Sequence, residues 1–82
     1  MSRTIHSPRH RALAALIAEE RKKAGLTQTV VAKRLGRHQS FVATVESGQR
    51  RIDVIELIEF AAAIRFDAAV VIKTLIRSDF TS

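Results

Sequence analysis

The 82-residue chain contains no cysteine. That excludes a disulfide framework and every zinc site built on thiolates, and it suits a reducing cytosol. Three glycines and a single proline leave few loops on which a catalytic site is usually built. There is no glycine-rich phosphate loop, no HExxH pair and no nucleophile elbow. The densest acidic group, Asp53, Glu56 and Glu59, is accounted for by a helix start and the polar side of the helix that follows. His6, His10 and His38 match no common zinc spacing. The sequence therefore reads as that of a non-enzyme, with no metal and no cofactor implied. Long apolar runs are missing too. Ala12 to Ala18 follows basic residues as a signal peptide would, but Glu19, Glu20, Arg21, Lys22 and Lys23 come at once, with no small-residue cleavage pattern. A soluble amphipathic helix is the better reading. Phe60 to Ile76 carries Arg65, Asp67 and Lys73, which argues against a membrane span.

What is present is positive charge, unevenly spread. The formal net charge is +6. Residues 9–51 hold ten Lys or Arg against three Glu, a net of +7, whereas residues 52–82 carry a net of −2. The first part has the composition of a face for an anion, and the last third does not.

Five helices can be read, giving an all-α, compact five-helix bundle. The first runs from Pro8 to Ala24, with Ser7 as N-cap, proline at the first helical position and Gly25 as the left-handed stop. Leu13, Leu16 and Ile17 fall at helical spacing. The second runs from Gln28 to Leu35, after Thr27 and before Gly36. The third covers Gln39 to Ser47, anchored by Val42 and Val45 and ended by Gly48. The fourth covers Val54 to Ile64, where Asp53 and Glu56 imitate a capping box and Leu57, Phe60, Ala61 and Ile64 form one stripe. The fifth covers Ala68 to Arg77 behind Asp67. Its β-branched residues leave a strand over Ala69 to Ile72 as the competing reading. The domain then spans residues 8–77, between an N-terminal arm of residues 1–7 and a tail of residues 78–82.

The middle of this pattern resembles a known family. Gly25-Leu26-Thr27-Gln28, Ala32, Leu35-Gly36, Gln39-Ser40, Val42, Val45-Glu46 and Gly48-Gln49-Arg50, at these mutual spacings, are similar to the Cro/C1 (XRE) helix-turn-helix regulators. The resemblance covers roughly residues 12 to 76. It implies a lambda-repressor-like bundle whose helix-turn-helix spans about residues 28–47, with the third helix entering the major groove of double-stranded DNA. It implies Gln28 as a phosphate contact, Gln39, Ser40 and Thr44 as base-reading residues, and Arg21 with Glu46 as a structural ion pair. Two positions depart from the family's habit. Ile52 stands where proline is frequent, and Arg65 where glycine is frequent between the last two helices. A left-handed turn at Arg65 would cost about 1 kcal/mol.

Elementary chemistry fits these roles. The amide of Gln39 donates and accepts at once, which matches N7 and N6 of adenine, and the methyl of Thr44 suits a thymine methyl. Lys33, Arg34, Arg37, Arg50 and Arg51 lie near the expected phosphate path, where they position the protein without reading sequence; a minor-groove contact is the alternative for Arg50 or Arg51. His38 beside them is either a phosphate contact or plainly exposed. Phe41 either packs against the preceding turn or touches a thymine methyl. The last third is rich in apolar residues, and one short helix turns only one stripe to its own core. Val70, Ile72, Ile76 and Phe80 are left over for the interface of a homodimer on a palindromic operator. The alternative is a last helix that folds back and buries them all. At the level of role, a cytoplasmic transcriptional repressor is the first reading. The others are the antitoxin of a toxin–antitoxin pair, with a toxin as second partner, and a protein-binding module without DNA binding.

Overall fold

A computed structural model describes residues 7–77 of the chain. Residues 1–6 and 78–82 lie outside the described residues, and with them all but Ser7 of the expected arm, the expected tail and Phe80. Five helices follow one another: α1 (Pro8–Lys23), α2 (Gln28–Leu35), α3 (Gln39–Glu46), α4 (Val54–Ile64) and α5 (Ala68–Arg77). The strand reading of Ala69 to Ile72 is thereby settled in favour of helix. The first and third helices each end one residue earlier than expected, at Lys23 and Glu46, because Ala24 and Ser47 serve as C-caps.

The ends of the helices are written locally. Ser7 accepts from the His10 N–H, Thr27 from Val30 and Asp53 from Glu56. Each satisfies one of the backbone donors that a helix start leaves over. Glu56 returns a bond to the Asp53 N–H at 3.0 Å, which completes the capping box. Between α2 and α3 only Gly36, Arg37 and His38 intervene. Gly36 turns to φ 69° and ψ 32°, and the next N–H, of Arg37, bonds Ala32 O at 2.9 Å. A Cβ at Gly36 would meet nothing within 4 Å, so the backbone angle rather than space asks for glycine. Arg65 takes the same left-handed conformation, with φ 75° and ψ 50°. It is the one non-glycine residue with positive φ among the described residues.

The core is one cluster drawn from the first four helices: Ile17, Val31, Ala32, Val42, Val45, Leu57, Phe60 and Ile64. The anchors read from helical spacing in α3 and α4 are buried, and so are Val31 and Ala32 of α2, whereas Leu35, expected on the same face as Val31, is only partly buried at the edge of the cluster. α1 packs against α3, α4 and α5, and α2 against α3 and α4. This holds α2 and α3 as a rigid pair, with the polar side of α3 turned outward. α5 contributes less to the interior, since Val71 is its one buried residue. Val70, Ile72 and Ile76 stay exposed, so α5 does not fold back to bury its whole apolar complement. A second exposed stripe, which the periodicity of α4 alone did not reveal, consists of Val54, Ile55 and Ile58 at 61%, 62% and 51%.

Candidate nucleic-acid interface

The outward side of α3 carries Gln39, Ser40 and Thr44, all exposed. The Thr44 hydroxyl donates back to Ser40 O at 3.0 Å and to Phe41 O at 2.9 Å. Its hydrogen is used within the helix, which leaves the methyl as the group free to meet an apolar neighbour. Gln39 stands at the first position of α3, and its Nε2 donates to Gln28 Oε1 at 2.7 Å. Gln28, at the start of α2, donates from its own Nε2 to Glu46 Oε1 at 2.9 Å.

Glu46 is in turn gripped by Arg21. The guanidinium donates from Nε to Oε2 at 2.6 Å and from Nη2 to Oε1 at 2.9 Å, and its Nη1 reaches Leu26 O at 2.9 Å. The pair is largely withdrawn from water, with side-chain exposures of 12% and 7%. Hydrogen bonding to Glu46 raises the pKa of Arg21, so the cation is permanent. This fork ties α1 and the α1–α2 turn to the end of α3. Removing either partner would strand a charge away from water, at a cost of several kcal/mol.

The other cations are placed as follows. Arg37 and Arg50 converge on Phe41, with guanidinium carbons 3.8 Å and 4.8 Å from the ring centroid. Phe41 itself stacks on Phe60 at 5.8 Å, so it packs. Glu56 joins the two cations from α4, accepting from Arg50 Nη1 and Nη2 at 3.2 Å each and lying 3.9 Å from Arg37. The Arg50 hydrogen bonds, then the Asp53 N–H, hold the Glu56 carboxyl below the usual glutamate range. Arg37, His38, Ser40, Phe41, Thr44 and Arg50 border an open cleft of about 410 Å³ beside α3. Arg34 lies elsewhere and donates to Ala63 O at the end of α4, at 2.8 Å. Lys33 and Arg51 are exposed, and the Arg51 carbonyl accepts from Arg50 Nη1 at 2.7 Å.

An exposed polar helix with an amide at its first position, seated on a glycine-turned helix pair and flanked on one side by Arg37 and Arg50, fits a major groove. A family model described as a helix-turn-helix domain matches residues 12–71. The chain belongs to the XRE (Cro/C1-type) helix-turn-helix family of DNA-binding regulators. It is similar to an XRE-family like protein from Pseudomonas syringae pv. tomato, at 45% identity over 89% of each chain with a TM-score of 0.81. It is also similar to the restriction-modification controller protein C.AhdI from Aeromonas hydrophila, at 27% identity over 72% of this chain and 86% of that one, TM-score 0.67. The clp gene regulator ClgR from C. glutamicum shares the fold, with a TM-score of 0.76 at 19% identity. No curated protein matches the chain. An XRE-family chain is a DNA-binding regulator rather than an enzyme. Among the described residues no group of His, Cys, Asp or Glu forms a metal cluster, and no helix is long and apolar enough to cross a membrane.

Two features of this XRE-family chain escaped the sequence reading. His10 is 7% exposed and its Nε2 bonds Gly48 O at 3.1 Å, which pins the backbone just past α3 to α1. Its only sequence signal was position: residues 10, 14 and 17 fall on one side of α1, the side that holds Ala14 and Ile17. The second is Glu56, whose helix-capping role was legible but whose place between Arg37 and Arg50 was not. Nothing local in the sequence brings residues 37, 50 and 56 together.

Proposed function

We propose that the chain is a transcriptional repressor that binds a palindromic operator as a homodimer, α3 of each copy lying in a major groove. The observation that carries the reading is the exposed Gln39, Ser40 and Thr44 on an α3 whose first residue is already held by Gln28. Gln39 pairs with adenine, and Thr44 offers its methyl to thymine. Gln28, Lys33, Arg34, Arg37, Arg50 and Arg51 supply phosphate contacts. Each of them positions the protein and carries no base information of its own.

Dimerisation rests on a separate observation. Val54, Ile55 and Ile58 on α4 and Val70, Ile72 and Ile76 on α5 are exposed, in a part of the chain with net charge −2 over residues 52–82. That part suits neither water nor DNA, and a second copy is the occupant we assign to it. Two copies then place their α3 helices about 34 Å apart, one turn of DNA.

Selection of binding sites from random duplexes tests the reading, followed by a titration of the selected site between about 50 and 300 mM salt. The expected result is a palindrome whose affinity falls steeply with salt. Failure to enrich any sequence, or a salt-independent affinity, would overturn it. Sedimentation without DNA tests the assembly. A monomer at high concentration would overturn the dimer and return the exposed face to another protein, such as a toxin.

A further inference from the structure

The hydrogen bonds from Arg21 to Gln39 form one unbroken chain across three helices, and that chain has a direction. Glu46 and Gln39 are seven residues apart on α3, two helical turns, and so share a face. Gln28 bridges the gap between them from the start of α2. Each link is short: 2.6 and 2.9 Å from Arg21 to Glu46, 2.9 Å from Gln28 to Glu46, 2.7 Å from Gln39 to Gln28.

The direction follows from what each group is able to do. A carboxylate only accepts. Gln28 must therefore turn Nε2 toward Glu46, and this leaves Oε1 as the end that faces Gln39. An amide oxygen only accepts as well, so Gln39 must turn Nε2 toward Gln28. Gln39 is left with one N–H and its whole Oε1 for the groove. An amide fixed in this way offers a donor and an acceptor in a set order. Adenine matches that order with N7 and N6–H; guanine, with two acceptors at N7 and O6, does not. An amide free to rotate offers its N–H to either purine.

We infer that Glu46, seated by Arg21, is a positioning residue for base recognition: acting through Gln28, it fixes which way the Gln39 amide faces and so makes that residue choose adenine over guanine. The inference rests on the reading of Gln39 as a base contact. A merely structural ion pair would lower stability and affinity for every sequence alike. A positioning residue changes the ratio between sequences.

The test compares binding-site selections for the full chain and four variants, each with its melting temperature. Gln39→Ala identifies the operator position that Gln39 reads. Glu46→Gln keeps the size of the side chain but removes the accept-only group. Gln28→Met keeps the ion pair and the fold while cutting the chain, so the comparison still decides if Glu46→Gln fails to fold. Arg21→Lys keeps a cation beside Glu46 without the fork. We expect adenine-over-guanine discrimination at the Gln39 position to fall by about tenfold in Glu46→Gln and Gln28→Met, with the other positions unchanged. Arg21→Lys should melt lower and keep the preference. Gln28→Met also removes a proposed phosphate contact, so the ratio between sequences decides and not the overall affinity; folded Gln28→Met and Glu46→Gln proteins that retain the parent preference at the Gln39 position would overturn the inference. A Gln39→Ala protein whose preferred site is unchanged at every position would instead overturn the base-contact reading, and the inference with it.

Discussion

His10 shows how a single side chain takes on a tertiary duty that its own sequence neighbourhood does not announce. Its Nε2 meets the Gly48 carbonyl, which is buried with it. Truncation leaves that oxygen without a protein partner, so His10→Ala should cost about 1–3 kcal/mol, read from urea unfolding. An unchanged midpoint would mean that water replaces the ring. Glu56 gives a second residue-scale expectation. Its folded pKa is depressed, chiefly by the Arg50 hydrogen bonds. The stabilisation it brings is therefore complete above the ordinary glutamate value of about 4.3 and is lost as pH falls through the lower folded value. Thermal melting across the acid range should show Glu56→Gln losing less stability on acidification than the parent. Parallel acid limbs would contradict the assignment. At this scale legibility was uneven. Arg21 and Glu46 were paired by resemblance alone, because they are distant in sequence and carry no local signature. Thr44 was placed by the resemblance, but the folding of its hydroxyl back onto Ser40 and Phe41 is a matter of rotamer, which a motif does not encode.

The helices themselves were the most legible part, and the reason is that their ends are chemical. Ser7, Thr27 and Asp53 cap as their side chains dictate, and Gly25, Gly36 and Gly48 all adopt positive φ. The exception is instructive. Arg65 occupies a left-handed turn between α4 and α5, a position at which a Cβ crowds the following carbonyl. Arg65→Gly relieves that crowding, while the freer unfolded chain takes part of the gain back. The expected net is a stabilisation of up to about 1 kcal/mol, a rise of a few degrees in melting temperature for a domain this small. A lower melting temperature would mean that the Arg65 side chain contributes more than its backbone costs. Helix faces were less legible than helix ends. α4 buries the stripe read from its spacing, Leu57, Phe60, Ala61 and Ile64. Yet it is apolar on a second side as well, at Val54, Ile55 and Ile58, and the spacing of the core stripe carries no information about that side.

For the molecule as a whole, the two exposed stripes make the assembly testable apart from DNA. Ile58→Glu and Ile76→Glu each place a charge on a residue that the monomer leaves 51% and 70% exposed. Neither should unfold the chain. Both should shift it towards the 9.1 kDa monomer in sedimentation and weaken operator binding, with isolated half-sites affected less. Dimers of undiminished affinity in both variants would move the interface elsewhere.

The shortness of the turns has a consequence in time. Gly36 to His38 and Arg65 to Asp67 are the whole of two connections, so most neighbours in space are near neighbours along the chain. Helical bundles with such local contacts fold in microseconds to milliseconds, while synthesis proceeds at about 5–20 residues per second. Each copy is thus folded almost as soon as it is made. The proposed pairing of two copies, at about 10⁵–10⁷ M⁻¹ s⁻¹, needs minutes or longer when the protein is at nanomolar concentration. For the homodimeric repressor proposed above, the delay between expression and repression is set by abundance, by how many copies are made rather than by how fast each one folds.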